Sequence, residues 1–208
     1  MSYICLMANE NGAVVAADSR ETFPAKVHLD WRRKCFVLPE RQLVWACCGP
    51  TLRLGVDFFR AARLLLARAK RVGDGLRRVG ALVSRVTAVP LPRQRSSGAF
   101  WLLAAQWTGD RFAIWTMCVR PGEAPQLHCR RLMPGEAVSL HAGAWHRAMP
   151  PLAARSLCGL SYDQLRACAR ERVALAIRMD EARRARNPGH NQTIGGAVRS
   201  EGIRCRRA

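Results

Sequence analysis

Three residues near the start of the chain are of types that could do chemistry together. Ser2 directly follows Met1, Asp18 interrupts the small apolar run "GAVVAADSR", and Lys34 ends the basic stretch "WRRK". Removal of Met1, usual when the next residue is small, would give Ser2 both a hydroxyl and a free α-amine. An amine of that kind has a pKa of about 7.7–8.0, so a useful fraction is neutral near pH 7. A neutral amine can take the proton of its own hydroxyl, usually through a water, which is how a serine nucleophile works without histidine. The chemistry also needs a cation to keep the amine pKa low and a carboxylate to hold that cation. A backbone N–H must face the developing oxyanion. Lys34 and Asp18, thirty-two and sixteen residues after Ser2, offer the cation and the carboxylate.

Each of these residues has an ordinary reading when taken alone. A Ser after Met is common at start sites, an Asp at a strand end is commonly a turn acid, and a Lys beside other cations is commonly solvated. Cys5, Cys47 and Cys48 are not N-terminal and have no His nearby in sequence; they read as buried thiols rather than nucleophiles. His141 and His146 share a short segment, but no carboxylate or Cys stands at ligand spacing. No metal and no cofactor are predicted.

The elements that must position Ser2, Asp18 and Lys34 are strands. Residues 2–8 and 13–18 are short apolar runs separated by "NENG", a hairpin signal, and "KCFVLP" and "QLVWACCG" repeat the pattern around "PERQ". Four strands are therefore predicted in the first fifty residues. From 52 to 71 the period becomes helical, with Leu54, Phe58, Ala61, Leu65 and Ala69 on one face, and "DGLRRVGALVSRVTA" reads as a second helix. "PLPRQRSSG" reads as a loop. "AFWLLAAQW" and "RFAIWTMCV" flank a Gly-Asp turn, and "QLHCRRL" and "AVSLHAG" supply further strands. "AWHRAMPPLAARSL" reads as a short helix disturbed by prolines. A long helix then starts at Ser161 as cap with Asp163 in its first turn. The close is a turn and a last short strand within a basic tail, 198–208. Hairpin-linked strands exclude a doubly wound parallel fold. The order suits an α+β fold of two antiparallel sheets packed face to face with a helix layer outside each, formed by one domain over 1–208.

Composition sets the surroundings. The chain has 208 residues, 49% of them hydrophobic, enough for a sizeable core. No segment approaches eighteen uninterrupted apolar residues, so no membrane span is predicted. The start lacks a basic stretch followed by an apolar one, so no signal peptide is predicted. With nine cysteines, an odd count, reduced thiols and a cytoplasmic setting are expected. The net charge of +19 raises nucleic acid, an acidic partner or an anionic membrane as candidates. Arg is used almost to the exclusion of Lys, and the Arg residues are spread rather than clustered with aromatics. The charge is therefore read as compositional, and nucleic acid is not the expected partner.

At this point the chain resembles the proteasome β-type N-terminal nucleophile (Ntn) hydrolases, which include HslV and the Anbu proteins. The resemblance lies in "NGAVVAADSRET", in the spacing of Lys34, in "ACCGP" where members carry Ala-Gly-Gly or Ala-Gly-Ser, in "NQTIGG", and in the Ser-Tyr start, similar to the Thr-Tyr of Anbu proteins. It covers about the first fifty-five residues in detail and implies the four-layer αββα sandwich. It also implies that Ser2 is the nucleophile and its amine the base, with Lys34 tuning that amine and Asp18 paired with Lys34. Thr22 would hold the substrate backbone, and the N–H of Cys48 or Gly49 would face the oxyanion. The implied activity is an N-terminal serine or threonine-type peptidase or amidase acting on peptides or unfolded protein. Members assemble into rings or spirals, so a homo-oligomer is implied, with any ATPase partner unspecified. The chain departs from the pattern at Ser2, where Thr is usual, and at Cys48. It also departs late in the chain, where Ala142 or His141 and then Asn191 and Thr193 occupy the regions of a supporting serine and an Asp–Ser pair. A late acid is thus predicted to be missing. The alternative is a catalytically inactive homologue that serves as a ring scaffold or as a basic binding module.

Overall fold

The computed structural model describes all residues except 1, 23–27, 90–97, 144–148, 188–193 and 206–208. Strands β1 (Tyr3–Asn9) and β2 (Gly12–Asp18) form the predicted hairpin, with Ile4 opposite Ala17 and Asn9 opposite Gly12. Two short strands, β3 (Glu21–Thr22) and β4 (His28–Leu29), pair with each other. Next, β5 (Cys35–Leu38) turns through a 3-10 segment at Pro39–Arg41 into β6 (Leu43–Cys48).

The helix expected over 52–71 is shorter. Leu52–Arg53 (β7) and Val56–Asp57 (β8) first make a two-residue hairpin whose turn places Leu54 and Gly55 at φ 50° and 77°. Helix α1 (Phe58–Arg68) begins only at Asp57, whose carboxylate accepts the N–H groups of Phe59 and Arg60. Its buried face is Phe58, Phe59, Ala62 and Leu66 rather than the face through Leu54, Ala61 and Leu65. The tight turn at Gly55 and the Asp cap explain the later start.

Helix α2 (Val72–Ala88) follows, then β9 (Phe100–Trp107), β10 (Phe112–Val119), β11 (Gln126–Arg131) and β12 (Val138–Gly143). Most of the predicted loop "PLPRQRSSG" lies outside the described residues. So does the first part of the predicted helix at 144–157; within its described part, Ala154–Leu157 form a 3-10 turn. Helix α3 (Tyr162–Arg186) starts as predicted, with Ser161 accepting from the Gln164 N–H and the Gln164 side chain returning to the Ser161 N–H. The segment assigned to a basic tail is in part structural: Val198–Arg204 form β13, paired with β2 along its whole length. Buried Ser200 and Ile203 lie on opposite faces of the strand, as do exposed Arg199 and Arg204, so each face is part buried and part basic.

Two antiparallel sheets result, ordered β12-β1-β2-β13 and β11-β10-β9-β6-β5. Their facing sides share one core, with Ile4, Leu6, Val15, Val44, Ala46 and Ile114 among its members. The outer face of the first sheet (Tyr3, Cys5, Met7, Val14, Ala16) packs on Leu165, Ala169, Val173 and Ala176 of α3. The outer face of the second (Trp45, Cys47, Leu102, Ala104) packs on α1 and α2. The architecture is an α+β, four-layer αββα sandwich. It explains why β1 and β2 read as unbroken apolar runs: every residue of both strands is buried, because both sheet faces are covered.

Candidate active site

The start of β1 and the end of β2 lie side by side, which brings Ser2 next to Asp18. Lys34 immediately precedes β5 in the opposite sheet and reaches across. Its Nζ donates to Ser2 Oγ at 2.7 Å, to Asp18 Oδ2 at 3.0 Å and to the Arg20 carbonyl at 2.5 Å. An ammonium has three protons, and these three acceptors use them all. All three side chains are buried: Ser2 is 8% exposed, Lys34 1% and Asp18 0%.

Asp18 is held as tightly as the cation. Oδ1 accepts the Tyr3 N–H at 2.9 Å; Oδ2 accepts the Arg20 N–H at 3.2 Å and the Gly195 N–H at 3.4 Å in addition to Lys34. Burial pushes the Asp18 carboxyl above the usual carboxylate range, while Lys34 and the N–H groups of Tyr3 and Gly195 pull it back. Both oxygens face donors, which leaves an acid proton no acceptor to meet, so the ion pair is the form that fits these contacts.

The rest of "DSR" fastens the loops around the pair. Ser19 Oγ donates to the Asp30 carbonyl and accepts the Ala197 N–H at 2.8 Å. The Arg20 guanidinium forms a two-pronged pair with Asp30, at 2.6 and 2.7 Å. It also lies flat against Gly195, where a Cβ would stand 2.5 Å from Cζ. The "IGG" turn is therefore small because Arg20 occupies the space beside it.

Cys48 ends β6 with its side chain among the residues between the sheets, whereas Cys47 faces the helices. Gly143, at the end of β12 and opposite Tyr3, links Cys48 to Ser2. It has φ 93°, and a Cβ there would lie 1.9 Å from the Ser2 carbonyl oxygen and 3.1 Å from Cys48 Sγ. Burial pushes the Cys48 thiol up to about 12, with Lys34 opposing the shift. Gly49 follows with its backbone packed on Ala99 and Phe100. Thr22 pairs with His28 in the short β3–β4 ribbon, two residues beyond Arg20. Cys5 and Cys47 are fully buried thiols with raised pKa.

Of the late residues, Asn191, Thr193 and His146 lie outside the described residues. His141 is tied between two hydroxyls: Tyr3 Oη lies 2.6 Å from Nδ1 and Ser139 Oγ 2.9 Å from Nε2. A different late acid, Asp180 on α3, is buried near the Gly195 turn. Its carboxylate is 0% exposed and accepts the Ile194 N–H at 3.2 Å, one residue before the Gly195 N–H that serves Asp18. The sequence carried a signal for it. Leu165, Ala169, Val173, Ala176 and Asp180 recur at helical spacing on the buried face of α3. An acid on an apolar stripe demands a partner.

No protein-family model matches the chain, and no curated relative matches it in sequence. Solved structures do match its fold. The ancestral β-subunit, Anbu, of Yersinia bercovieri superimposes with a TM-score of 0.61 at 14% identity, over 97% of this chain and 81% of that one. The Anbu complex of Pseudomonas aeruginosa, described as a helical assembly, gives 0.62 at 17% identity over 97% and 81%. HslV of Trypanosoma brucei gives 0.59 at 10% identity over 98% and 99%. The chain thus has the fold of the proteasome-like Ntn hydrolases.

Proposed function

We propose that this chain is a proteasome-like Ntn hydrolase that cleaves peptide bonds with Ser2, exposed by removal of Met1, as nucleophile. The observation that carries the reading is the contact of Lys34 Nζ with Ser2 Oγ at 2.7 Å, made by an ammonium already bound to Asp18. Because Lys34 donates to the hydroxyl oxygen, the hydroxyl proton must leave in another direction, and the α-amine of the same residue is the base within reach. Ser2 Oγ attacks the substrate carbonyl carbon, its proton passes to the amine, and the nearby ammonium stabilises the developing alkoxide. A backbone N–H of Cys48 or Gly49 receives the oxyanion. Collapse expels the amine half of the substrate, which takes the proton, and water then hydrolyses the Ser2 ester by the reverse sequence. Thr22, on the β3–β4 ribbon, holds the substrate backbone as an added strand.

Copies of the chain assemble with one another, as the helical assembly of the Pseudomonas Anbu complex suggests by analogy. Leu52, Leu54, Leu64 and Val89 are exposed around α1 and the β7–β8 hairpin and form an apolar contact surface for a second copy. The free thiols fit a reducing, cytoplasmic setting.

Two measurements test the chemistry. Intact mass of the purified protein should lack Met1. A peptide epoxyketone, which needs both the hydroxyl and the α-amine, should label the wild type, fail on Ser2→Ala and label Lys34→Ala far more slowly. A processed wild type that stays unlabelled would support the scaffold reading instead.

A further inference from the structure

With Met1 removed, Ser2 is joined covalently to the fold through Tyr3 alone, so whatever fixes Tyr3 fixes Ser2. The Tyr3 N–H donates to Asp18 Oδ1 at 2.9 Å. Its ring lies on the outer face of the first sheet, packed with residues of α3, and is fully buried. A buried phenol needs an acceptor for its O–H. Among the described residues that acceptor is His141 Nδ1, 2.6 Å from Tyr3 Oη. The two rings stack at 21° to each other, with centroids 5.8 Å apart.

This contact sets the state of the imidazole. Because Nδ1 accepts, the proton of the neutral ring sits on Nε2 and is donated to Ser139 Oγ, 2.9 Å away. Protonation would put an N–H on both nitrogens and leave the Tyr3 O–H without its acceptor. It would also add a cation to the field that Arg172, on α3, already sets at Tyr3. Cys5, opposite His141 on β1, is a thiol kept protonated by burial, its pKa pushed up to about 12. The 3-10 turn that packs on β12 buries Leu157 and leaves Arg155 exposed. Strand β9, which also packs on β12, carries no ionisable side chain.

We propose that His141 is a positioning residue that acts through Tyr3 as a proton-sensitive latch. Neutral, it holds the Tyr3 ring and so keeps Ser2 against Lys34 and Asp18; protonated, it lets the start of β1 loosen. The consequence for peptide cleavage rests on Ser2 being the nucleophile, whereas the latch itself does not.

Hydrogen exchange at the Tyr3 amide reads the latch without reference to chemistry. At about pH 7.5, His141→Ala in the full chain should speed that exchange at least about tenfold. His141→Asn, whose Oδ1 can stand in for Nδ1 as acceptor, should restore it. The pH profile separates a latch from a merely structural contact, because an imidazole gains a proton between about pH 7.5 and 5.5 and an amide does not. Wild type and His141→Asn, compared at each pH, should match at the upper end. At the lower end the wild type should exchange faster at Tyr3 and take the epoxyketone label at least about tenfold more slowly. The Ser2 amine titrates in both proteins and cancels in the ratio. A wild type that takes no label at either pH would sink the Ser2 reading, and the exchange ratio would still decide the latch. The proposal is overturned if His141→Ala leaves Tyr3 exchange unchanged, if His141→Asn fails to restore it, or if the exchange ratio stays constant with pH.

Discussion

Gly143 and Ser2 touch so closely that no side chain fits between them: a Cβ on Gly143 would lie 1.9 Å from the Ser2 carbonyl oxygen. The start of β1, next to Ser2, is therefore positioned by bare backbone. Gly143→Ala must either shift β12 or push β1, and its φ of 93° disfavours any side chain. The epoxyketone labelling rate should fall by at least about tenfold, while the far-ultraviolet spectrum shows the folded sandwich. Labelling at the wild-type rate would refute the view that this contact places Ser2.

Lys34 and Asp18 depend on each other. Lys34→Met leaves a buried carboxylate without its cation and should destabilise the fold by about 3–5 kcal/mol. In Lys34→Met/Asp18→Asn that charge is gone, while the Asn carbonyl oxygen still accepts backbone N–H groups. Urea unfolding should show that the double variant recovers much of the loss, and both variants should form the adduct far more slowly than the wild type. Equal destabilisation in both would mean that the uncompensated charge is not the cause.

Asp180 should act as a positioning residue. Asp180→Ala removes the acceptor of the Ile194 N–H, and leaving that buried donor unpaired costs about 1–3 kcal/mol. Hydrogen exchange at Ile194 and Gly195 should accelerate, and labelling at Ser2 should slow as the Gly195 donor to Asp18 loosens. Asp180→Asn keeps an acceptor and should restore most of both readouts. Faster exchange without slower labelling would limit Asp180 to a structural role.

The buried thiols set an alkaline limit. Cys5 and Cys48 are pushed by burial from 9.0 to about 12, and Cys35 and Cys47 well upward. Their folded pKa is raised, so the native state holds protons that the unfolded chain releases. The stability this confers is complete below pH 9 and is lost as pH rises toward 12, at about 1.4 kcal/mol per pH unit for each thiol. The urea midpoint should fall steadily above about pH 9, and less steeply in Cys48→Ala. In the native state, a thiol reagent at neutral pH should modify the exposed Cys129 and Cys158 first. A flat midpoint would contradict the burial.

The hairpins and α3 are legible in the sequence because their signals are local: "NENG" turns one strand back on the next, and Ser161 with Gln164 closes a capping box. Ser2, Asp18 and Lys34 are legible as a set through their register. Asp180 is harder to read because its partner, Ile194, is fourteen residues away and is met only after α3 docks. The start of α1 is missed because Gly55 and Asp57 interrupt a pattern that apolar spacing alone extends back to Leu52. Strand β13 is expected as a short closing strand, and it runs the whole length of β2. Its full length is harder to read because burial does not alternate along it: exposed Arg199 and Arg204 stand on opposite faces, as do buried Ser200 and Ile203.

A mismatch of lengths gives the molecule an asymmetric outline. Helix α3 has 25 residues and is about 37 Å long at 1.5 Å per residue, but the seven-residue strands β1 and β2 beneath it span only about 23 Å. The helix must overrun the sheet, and every residue from Glu181 to Asn187 is exposed. Arg183, Arg184 and Arg186 crowd this end, where their charge complements the helix dipole and stiffens the overrun. The result is a cationic helix end, rooted in the core by Ala176 and Asp180. Any body that approaches this end of α3 meets exposed guanidiniums first, so the encounter is governed by salt before it is governed by shape.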